Sequence, residues 1–197
     1  MKRLDGIGLS EVQAVYGGPE GELWELLMGH QIHIGGFRSS MALAEKAGIQ
    51  SGMQGVDLCS CNGAGMRFLV RFHGVSLMTG VDATPAVIER GRRRCVEEGL
   101  ADRVSFVHAD VCSSCLPAAS ADFVWGEDAW CYVVDKERLI AEAARRFLAF
   151  MKFATLQDLD GHRSALARSG CDVLVDEDMG LFAPSIDLYI NMVDRQL

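Results

Sequence analysis

Residues 56–65, Val-Asp-Leu-Cys-Ser-Cys-Asn-Gly-Ala-Gly, decide the fold. The first three form a short run of two apolar residues around one acid, which is typical of a buried strand. The small residues that follow predict a loop, and residues 66–72 then predict a helix. A strand, a small-residue loop and a helix in this order begin a parallel β-α-β unit, whose loop lies at the edge where ligands bind.

The same alternation continues outward from this stretch. Pro85 stands in the first turn of a predicted helix and Gly99 follows its end, as helix capping favours. Residues 1–38, rich in glycine, histidine and aromatic residues, predict short helical pieces and turns. The sequence thus predicts an α/β fold, a Rossmann-like, doubly wound and mostly parallel sheet with helices on both faces. Further strands are predicted at 75–82, 104–109 and 122–126, and further helices at 41–47, 85–98 and 136–146.

Length and charge narrow the kinds of partner. The 197 residues, 49% of them apolar, suit one domain over 1–197, with residues 1–40 as an N-terminal lid or substrate-side segment. The formal net charge of −8 argues against a broad nucleic-acid or anionic-membrane footprint. A small molecule, cationic or neutral, is the expected partner.

The seven cysteines occur without a secretory signal or a membrane-length apolar stretch, so we expect reduced thiols in a cytoplasmic protein. Cys112 and Cys115 have CxxC spacing, yet no second CxxC and no histidine pair at zinc-ligand spacing accompany them. We therefore expect a loop there, and no metal site.

One acid falls at the end of each of three predicted strands. Asp57 lies just before the small-residue loop, Asp82 ends the second strand and Asp110 follows the third. A carboxylate at the second position can hold ribose hydroxyls, and one at the third can accept from an adenine amino group. Caps and turns are the alternative, since aspartate often begins a helix after a strand. Three acids in register favour a nucleotide-type site.

The loop argues against a dinucleotide cofactor, because it lacks the G-x-G-x-x-G pattern of dinucleotide-binding folds. Aligned on Asp57 and Gly63, it resembles the acidic-x-Gly-x-Gly-x-Gly loop of class I S-adenosylmethionine (AdoMet)-dependent methyltransferases. Cys59 and Cys61 replace the first two glycines. Since cysteine disfavours positive φ, we expect ordinary backbone angles at both positions or a reshaped loop.

The resemblance extends from Ile32 to about Arg145. This run is similar to the branch that contains sarcosine/dimethylglycine N-methyltransferases, phosphoethanolamine N-methyltransferases and ubiquinone-biosynthesis methyltransferases. The matching pieces are residues 33–36 (His-Ile-Gly-Gly), 80–84 (Gly-Val-Asp-Ala-Thr), 99–104 (Gly-Leu-Ala-Asp-Arg-Val), 108–110 (His-Ala-Asp) and 125–130 (Trp-Gly-Glu-Asp-Ala-Trp).

The resemblance implies AdoMet as cofactor, S-adenosylhomocysteine (AdoHcy) as product and a set of site residues. Asp128, Tyr132 and His33 are the expected catalytic residues, and Tyr132 stands where some members of the branch carry a histidine. His33 as a loop anchor is the alternative. Trp125, Trp130 and Tyr132 are candidates to flank a cationic amine, or else to pack in the core. The expected cofactor-binding residues are Asp57, Cys59, Cys61, Gly63, Asp82, Ala83, Asp110, Val111, Trp125 and Glu127.

The expected reaction is methyl transfer from AdoMet to a small-molecule acceptor, with an amine of the sarcosine/dimethylglycine kind as the leading candidate. An O-, C- or S-methyltransferase, an arsenic-methylating enzyme and a non-catalytic AdoMet-binding protein are the alternatives. A homodimer is a further expectation.

The chain departs from the branch after residue 146. A Pro-Gly-Gly turn and a fifth strand are expected there, yet Arg146 runs directly into Phe147 and the apolar residues after it. A helix at 159–170, a strand at 171–175 and a terminal helix at 185–197 again resemble the branch. We expect that the chain omits a segment near Arg146–Phe147, with the strand-five region absent.

Overall fold

The structure is a computed structural model and describes residues 8–29, 31–146 and 159–176, with residues 180, 184 and 187. Within these ranges one sheet contains four strands in the order β3-β2-β1-β4, and every neighbouring pair is parallel. This confirms the predicted Rossmann-like α/β fold. The strands are β1 (Gln54–Leu58), β2 (Leu77–Asp82), β3 (Val104–His108) and β4 (Phe123–Trp125).

Strand β1 lies in the interior of the sheet. Residues 55–58 are all buried, so both faces of this strand are covered, as parallel sheets require. Gly55 has no space for a side chain, because a Cβ there would lie 2.3 Å from the Phe123 ring and 2.6 Å from the Met78 sulfur. Asp57 pairs with Gly80 on one side and Trp125 on the other, which aligns the carboxyl ends of three strands.

Seven helices are described. Helix α4 connects β1 to β2, and helix α5 connects β2 to β3. Each of these helices begins directly after a strand-end loop. A 3-10 turn at Trp130–Tyr132 follows β4. The helices are α1 (Leu9–Gly17), α2 (Pro19–Met28), α3 (Gly36–Lys46), α4 (Ala64–Phe72), α5 (Pro85–Glu97), α6 (Lys136–Arg146) and α7 (Leu159–Arg168).

Helices α1 and α2, with residues 31–36, form the N-terminal cover of the sheet edge. They attach to α5 through the buried Glu25, whose carboxylate oxygens lie 3.0 Å from Arg90 Nε and 2.6 Å from Arg94 Nη2. Arg90 also donates to the Tyr16 carbonyl at 2.6 Å. Gln13 donates to the Ala83 carbonyl, just after β2. Polar contacts thus hold the cover to α5 and to the loop after β2.

The predicted strand at 171–175 is wrong. Residues 171–176 have no regular secondary structure, and Val173, Leu174 and Val175 are exposed. Three consecutive β-favouring residues cannot form a strand unless a sheet edge pairs with them. The expected omission near Arg146–Phe147 falls outside the described residues, as does nearly all of the helix predicted at 185–197. In the part of the chain described, no helix is both long and apolar enough to cross a membrane.

Candidate active site

A cavity of about 380 Å³ lies at the carboxyl edge of the sheet, within the size range of small-molecule sites. The three acids at the strand ends, Asp57, Asp82 and Asp110, all line it. The sheet therefore brings together what the sequence predicted strand by strand. The other predicted site residues in the lining are His33, Cys59, Cys61, Ala83, Val111, Trp125, Glu127, Asp128 and Tyr132.

Asp82 joins two of the strand-end loops. Its Oδ2 accepts from the Cys61 backbone N–H at 2.9 Å, and its Oδ1 accepts from the Thr84 N–H at 2.8 Å. Burial raises the pKa of Asp82, against the lowering effect of these two N–H donors. An ionised carboxylate has about four acceptor positions, so Asp82 keeps acceptor capacity for hydroxyl groups in the cavity.

Asp57 lies deeper, beside Gly65 and Trp125. Burial raises the pKa of Asp57 well above its usual value, and the Glu127 and Asp82 carboxylates add to the rise. A Cβ on Gly65 would lie 3.1 Å from Trp125 Nε1 and 3.6 Å from Asp57 Oδ2. The buried Trp125 Nε1 has no hydrogen-bond partner among the described residues. A carboxylate and a free N–H donor therefore face the space that Gly65 leaves open.

The loop after β1 keeps the backbone of a glycine loop although two of its residues are cysteines. Cys59 has φ of 68° and Cys61 has φ of 48°. This corrects the expectation of ordinary angles or a reshaped loop: both cysteines adopt the left-handed conformation, which costs an L-residue about 1–2 kcal/mol. Burial raises the pKa of both thiols, so they stay neutral and behave as small apolar side chains.

Gly63 does not line the cavity, unlike the other predicted residues. It has φ of 76° and directly precedes α4. A Cβ on it would lie 2.6 Å from the Phe106 ring. Gly63 therefore turns the chain into α4, and the cofactor contact expected there stays a prediction.

His33 connects the N-terminal cover to the residues after β4. The buried ring places Nε2 2.8 Å from Ser40 Oγ and 3.2 Å from Glu127 Oε2. Ser40 donates to the same Glu127 oxygen at 3.0 Å. Nδ1 lies 3.2 Å from the Ile34 carbonyl. Both ring nitrogens lie near oxygen atoms, an arrangement that holds Glu127 in place at the cavity lining.

Asp128 and Tyr132 lie on the same side of the cavity as the cover. Asp128 Oδ2 accepts from the Ile34 N–H at 3.0 Å and lies 3.8 Å from His33 Nδ1. Its side chain is 25% exposed, and its backbone is in the left-handed conformation with φ of 56°. The Tyr132 hydroxyl lies 3.2 Å from that of Tyr16, and the two rings meet edge to face.

Trp130 is a core residue, which corrects its candidacy for an amine contact. It is 2% exposed, belongs to the main apolar core and does not line the cavity. Its Nε1 donates to the Leu58 carbonyl at 2.9 Å and so satisfies the end of β1. A buried tryptophan with its N–H paired needs no further role.

Several lining residues were not predicted. Tyr16 and Trp24 come from the cover, and the sequence offered only their aromatic character as a signal.

Lys136 does not line the cavity and fixes the turn after β4. Its ammonium donates to the carbonyls of Trp130 (2.7 Å), Cys131 (3.0 Å) and Val133. Burial lowers the pKa of Lys136. Across the described ranges, no group of three or more histidine, cysteine or acidic side chains is arranged to hold a metal ion.

Comparison with known proteins points to methyltransferases. Residues 56–147 match the sequence profile of a methyltransferase domain. A chloroplastic protein of Oryza sativa subsp. japonica, assigned as a tocopherol O-methyltransferase, is 31% identical over 90 residues. That match covers 46% of this chain and 25% of the rice protein, so the chain matches about a quarter of its relative's length.

Solved structures share the fold over most of the chain. Phosphoethanolamine N-methyltransferase 2 of Haemonchus contortus, in complex with AdoHcy and phosphomonomethylethanolamine, is 18% identical with a TM-score of 0.81, over 93% of this chain and 49% of that chain. A protein of Galdieria sulphuraria assigned as a sarcosine dimethylglycine methyltransferase is 22% identical with a TM-score of 0.66, over 76% and 72%. The [4+2]-cyclase SpnF is 17% identical with a TM-score of 0.81, over 96% and 82%.

At these identities the structural likeness establishes the fold, and the profile match adds a methyltransferase domain signature over residues 56–147. Enzymes of this class take AdoMet as cofactor, as the complexes of the Haemonchus enzyme with AdoMet and AdoHcy illustrate. Residues 56–147 therefore match the methyltransferase domain profile, and the chain has the fold seen in structures of AdoMet-dependent methyltransferases.

Proposed function

We propose that this protein transfers a methyl group from AdoMet to a small-molecule acceptor, with an amine nitrogen as the atom methylated. The observation that carries the proposal is the pair of groups facing Gly65. Asp57 supplies a carboxylate and Trp125 an unpartnered buried N–H. The amino-acid end of AdoMet offers one ammonium and one carboxylate, so this donor and acceptor set fits it.

The remaining strand ends suit the rest of the cofactor. Asp82 would accept from the ribose hydroxyls with the acceptor positions that its two backbone partners leave free. Asp110, exposed in the cavity and accepting from the Cys112 N–H at 2.9 Å, would face the adenine amino group. The remaining contacts proposed are those of Cys59, Cys61, Ala83, Val111 and Glu127, all in the cavity lining.

When bound, AdoMet supplies an electrophilic methyl group on a sulfonium and leaves as AdoHcy. The chain's task is to orient the acceptor's lone pair and exclude water, which supplies most of the rate in such displacements. The N-terminal cover and Tyr132 would close over the acceptor. Asp128 would take the proton that the amine nitrogen loses, since its carboxylate is partly exposed in the cavity. His33 would hold Glu127 and Asp128 in position.

Calorimetry with AdoMet, AdoHcy and NAD tests the cofactor. We expect binding of AdoMet and AdoHcy and none of NAD, and no binding of the first two at millimolar concentration would refute the proposal. A panel of amines, phenols and thiols is then incubated with AdoMet, and mass spectrometry locates the added methyl group. Methylation of amines supports the acceptor class, whereas methylation of phenols or thiols alone overturns it.

One observation favours a second candidate, O-methylation of a lipophilic phenol. The acceptor side of the cavity is largely apolar and aromatic, and the rice relative is assigned to tocopherol. The phenol arm of the same panel decides between them. A single domain over 1–197 with residues 1–40 as lid, the cytoplasmic location, the lack of a nucleic-acid partner and the homodimer stay predictions from the sequence.

A further inference from the structure

The side of the cavity away from the strand-end acids has a distinctive lining. The cover and the segment after β4 contribute mostly apolar and aromatic side chains there, and the exceptions are His33, Glu127, Asp128, Asp135 and Arg138. The mouth is apolar as well, since Leu9 is 54% exposed, Tyr132 49% and Val134 81%. Exposed apolar residues that rim a cavity indicate an apolar ligand or ligand part. The residues of this side are Val12, Tyr16, Trp24, Ile32, Ile34 and Val133.

The cavity as a whole carries an excess of carboxyl groups. Six acidic side chains line it, and among the described lining residues Arg138 is the one permanent cation. The Arg138 guanidinium interacts electrostatically with the Cys112 thiol, and the Arg138 backbone N–H donates to Asp135 Oδ1. Arg138 therefore lies with the Asp110 loop rather than with the cover. His33 is occupied between Glu127 and Asp128. The acids are Asp57, Asp82, Asp110, Glu127, Asp128 and Asp135.

This charge pattern bears on the second substrate. The cofactor brings a sulfonium, an ammonium and one carboxylate, a net charge of about +1. That offsets one of the six acidic groups, and no permanently charged basic side chain among the described residues lies beside Asp128 to pair with an anionic group of the acceptor. A substrate carboxylate or phosphate placed there would meet like charge and an apolar surface, which is how binding sites reject anions.

We infer that the acceptor is an amine carried on an apolar or aromatic body, without a carboxylate or phosphate group. The inference rests on the proposed function and narrows it, since it excludes amino-acid acceptors of the sarcosine kind and phosphorylated amines. Asp128 pairs with the ammonium form of the substrate before it loses its proton. Tyr16 and Tyr132 present aromatic surface beside that cation.

A matched ligand series tests this on the full chain saturated with AdoHcy. Calorimetry is run with 2-phenylethylamine, phenylalanine, 2-phenylethanol and 4-ethylphenol, which share the aromatic body and differ in charge. We expect the amine to bind at least about 10-fold more tightly than the other three, a difference of about 1.4 kcal/mol. In Asp128→Asn, which keeps the acceptor for the Ile34 N–H, that preference should fall about 10-fold while 2-phenylethanol binding stays unchanged.

The possible results distinguish a failure of this inference from a failure of the proposed function on which it rests. Equal or tighter binding of phenylalanine overturns the inference, as does methylation of 4-ethylphenol in preference to the amine when AdoMet replaces AdoHcy. Binding of AdoHcy with no binding of any amine probe overturns it as well. Failure to bind AdoHcy refutes the proposed function itself, because the cofactor site is then absent.

Discussion

The sheet edge and the N-terminal cover form opposite sides of one cavity and are held together in different ways. The sheet edge is a product of parallel strand pairing, with Asp57, Asp82 and Asp110 placed at successive strand ends. The cover has little buried apolar surface of its own. Helix α1 has no buried residue, and α2 buries only Gly21, Glu25 and Met28.

Polar contacts across large sequence distances replace an apolar core in the cover. Glu25 pairs with Arg90 and Arg94, His33 with Glu127, and the Tyr16 and Tyr132 hydroxyls with each other. Local opening requires less free energy where little apolar surface is buried. We therefore expect the sheet to form a rigid cofactor side of the cavity and the cover to form an adaptable acceptor side. Four sites test this difference, from the largest expected effect to the smallest.

The largest effect is expected at the rigid side, at Asp82. Replacing it in Asp82→Asn removes the negative charge that would accept from the ribose hydroxyls. We expect AdoHcy affinity to fall about 10- to 100-fold, which is the worth of a hydrogen bond to a charged group. Calorimetry measures it, with the exposed Asp102→Asn as control. Equal affinities in the two variants would remove Asp82 from the site.

The next effect is expected in the cover, at Glu25. Glu25→Gln removes the charge that pairs with two arginines, one of them 31% exposed, and should destabilise the cover by about 2 kcal/mol. Hydrogen exchange should accelerate in residues 8–29 and stay unchanged in β1 and β2. Glu22→Gln, exposed on the same helix, should cost less than about 1 kcal/mol. Faster exchange in the strands as well would show that cover and sheet unfold as one unit.

A smaller effect with a defined sign is expected at Asp57. Its raised pKa means that the folded state favours the protonated acid. The associated stability is complete below the unfolded-state value of about 3.9 and is lost as pH rises through the folded pKa. Asp57→Asn, which cannot ionise, should therefore melt at a higher temperature than the natural protein at pH 7, and the gap should narrow toward pH 4.

The same variant should bind AdoHcy less tightly, since it lacks the charge that pairs with the ammonium. In the natural protein AdoHcy affinity should rise with pH as Asp57 ionises, whereas in Asp57→Asn it should stay nearly flat. Melting curves and calorimetry at several pH values measure both. Parallel pH dependence in the two proteins would show that Asp57 does not face the ammonium.

The smallest effect concerns the backbone of the loop after β1. Cys61→Gly should be more stable than Cys61→Ala by about 1 kcal/mol, because glycine adopts positive φ without steric cost. At Cys95, buried inside α5, the order should reverse, since alanine is favoured over glycine in a helix by about 1 kcal/mol. Denaturant unfolding of the four variants measures both differences. The same order at both positions would contradict a left-handed Cys61.

The sequence predicted the described sheet within a few residues at each end, and twelve of thirteen site residues line one cavity. Prediction succeeded there because strand periodicity, glycine and proline boundaries and strand-end acids are local features. It failed at 171–175, where the apolar run pairs with no strand among the described residues, and it left Trp130 open between core and site, because aromatic character fits both.

By itself, the sequence determined the order of strands and helices along the chain, the position of each strand-end acid and the resemblance to AdoMet-dependent methyltransferases, since each follows from neighbouring residues. The tertiary structure alone decided that Tyr16 meets Tyr132 across 116 residues, that Ile34 donates to Asp128 across 94, and that Cys59 and Cys61 adopt glycine-like angles. These features depend on where separate segments pack against one another, and no local pattern encodes that distance. The residues on the cofactor side of the cavity could therefore be predicted from the sequence, whereas the contacts on the acceptor side became visible only in the tertiary structure.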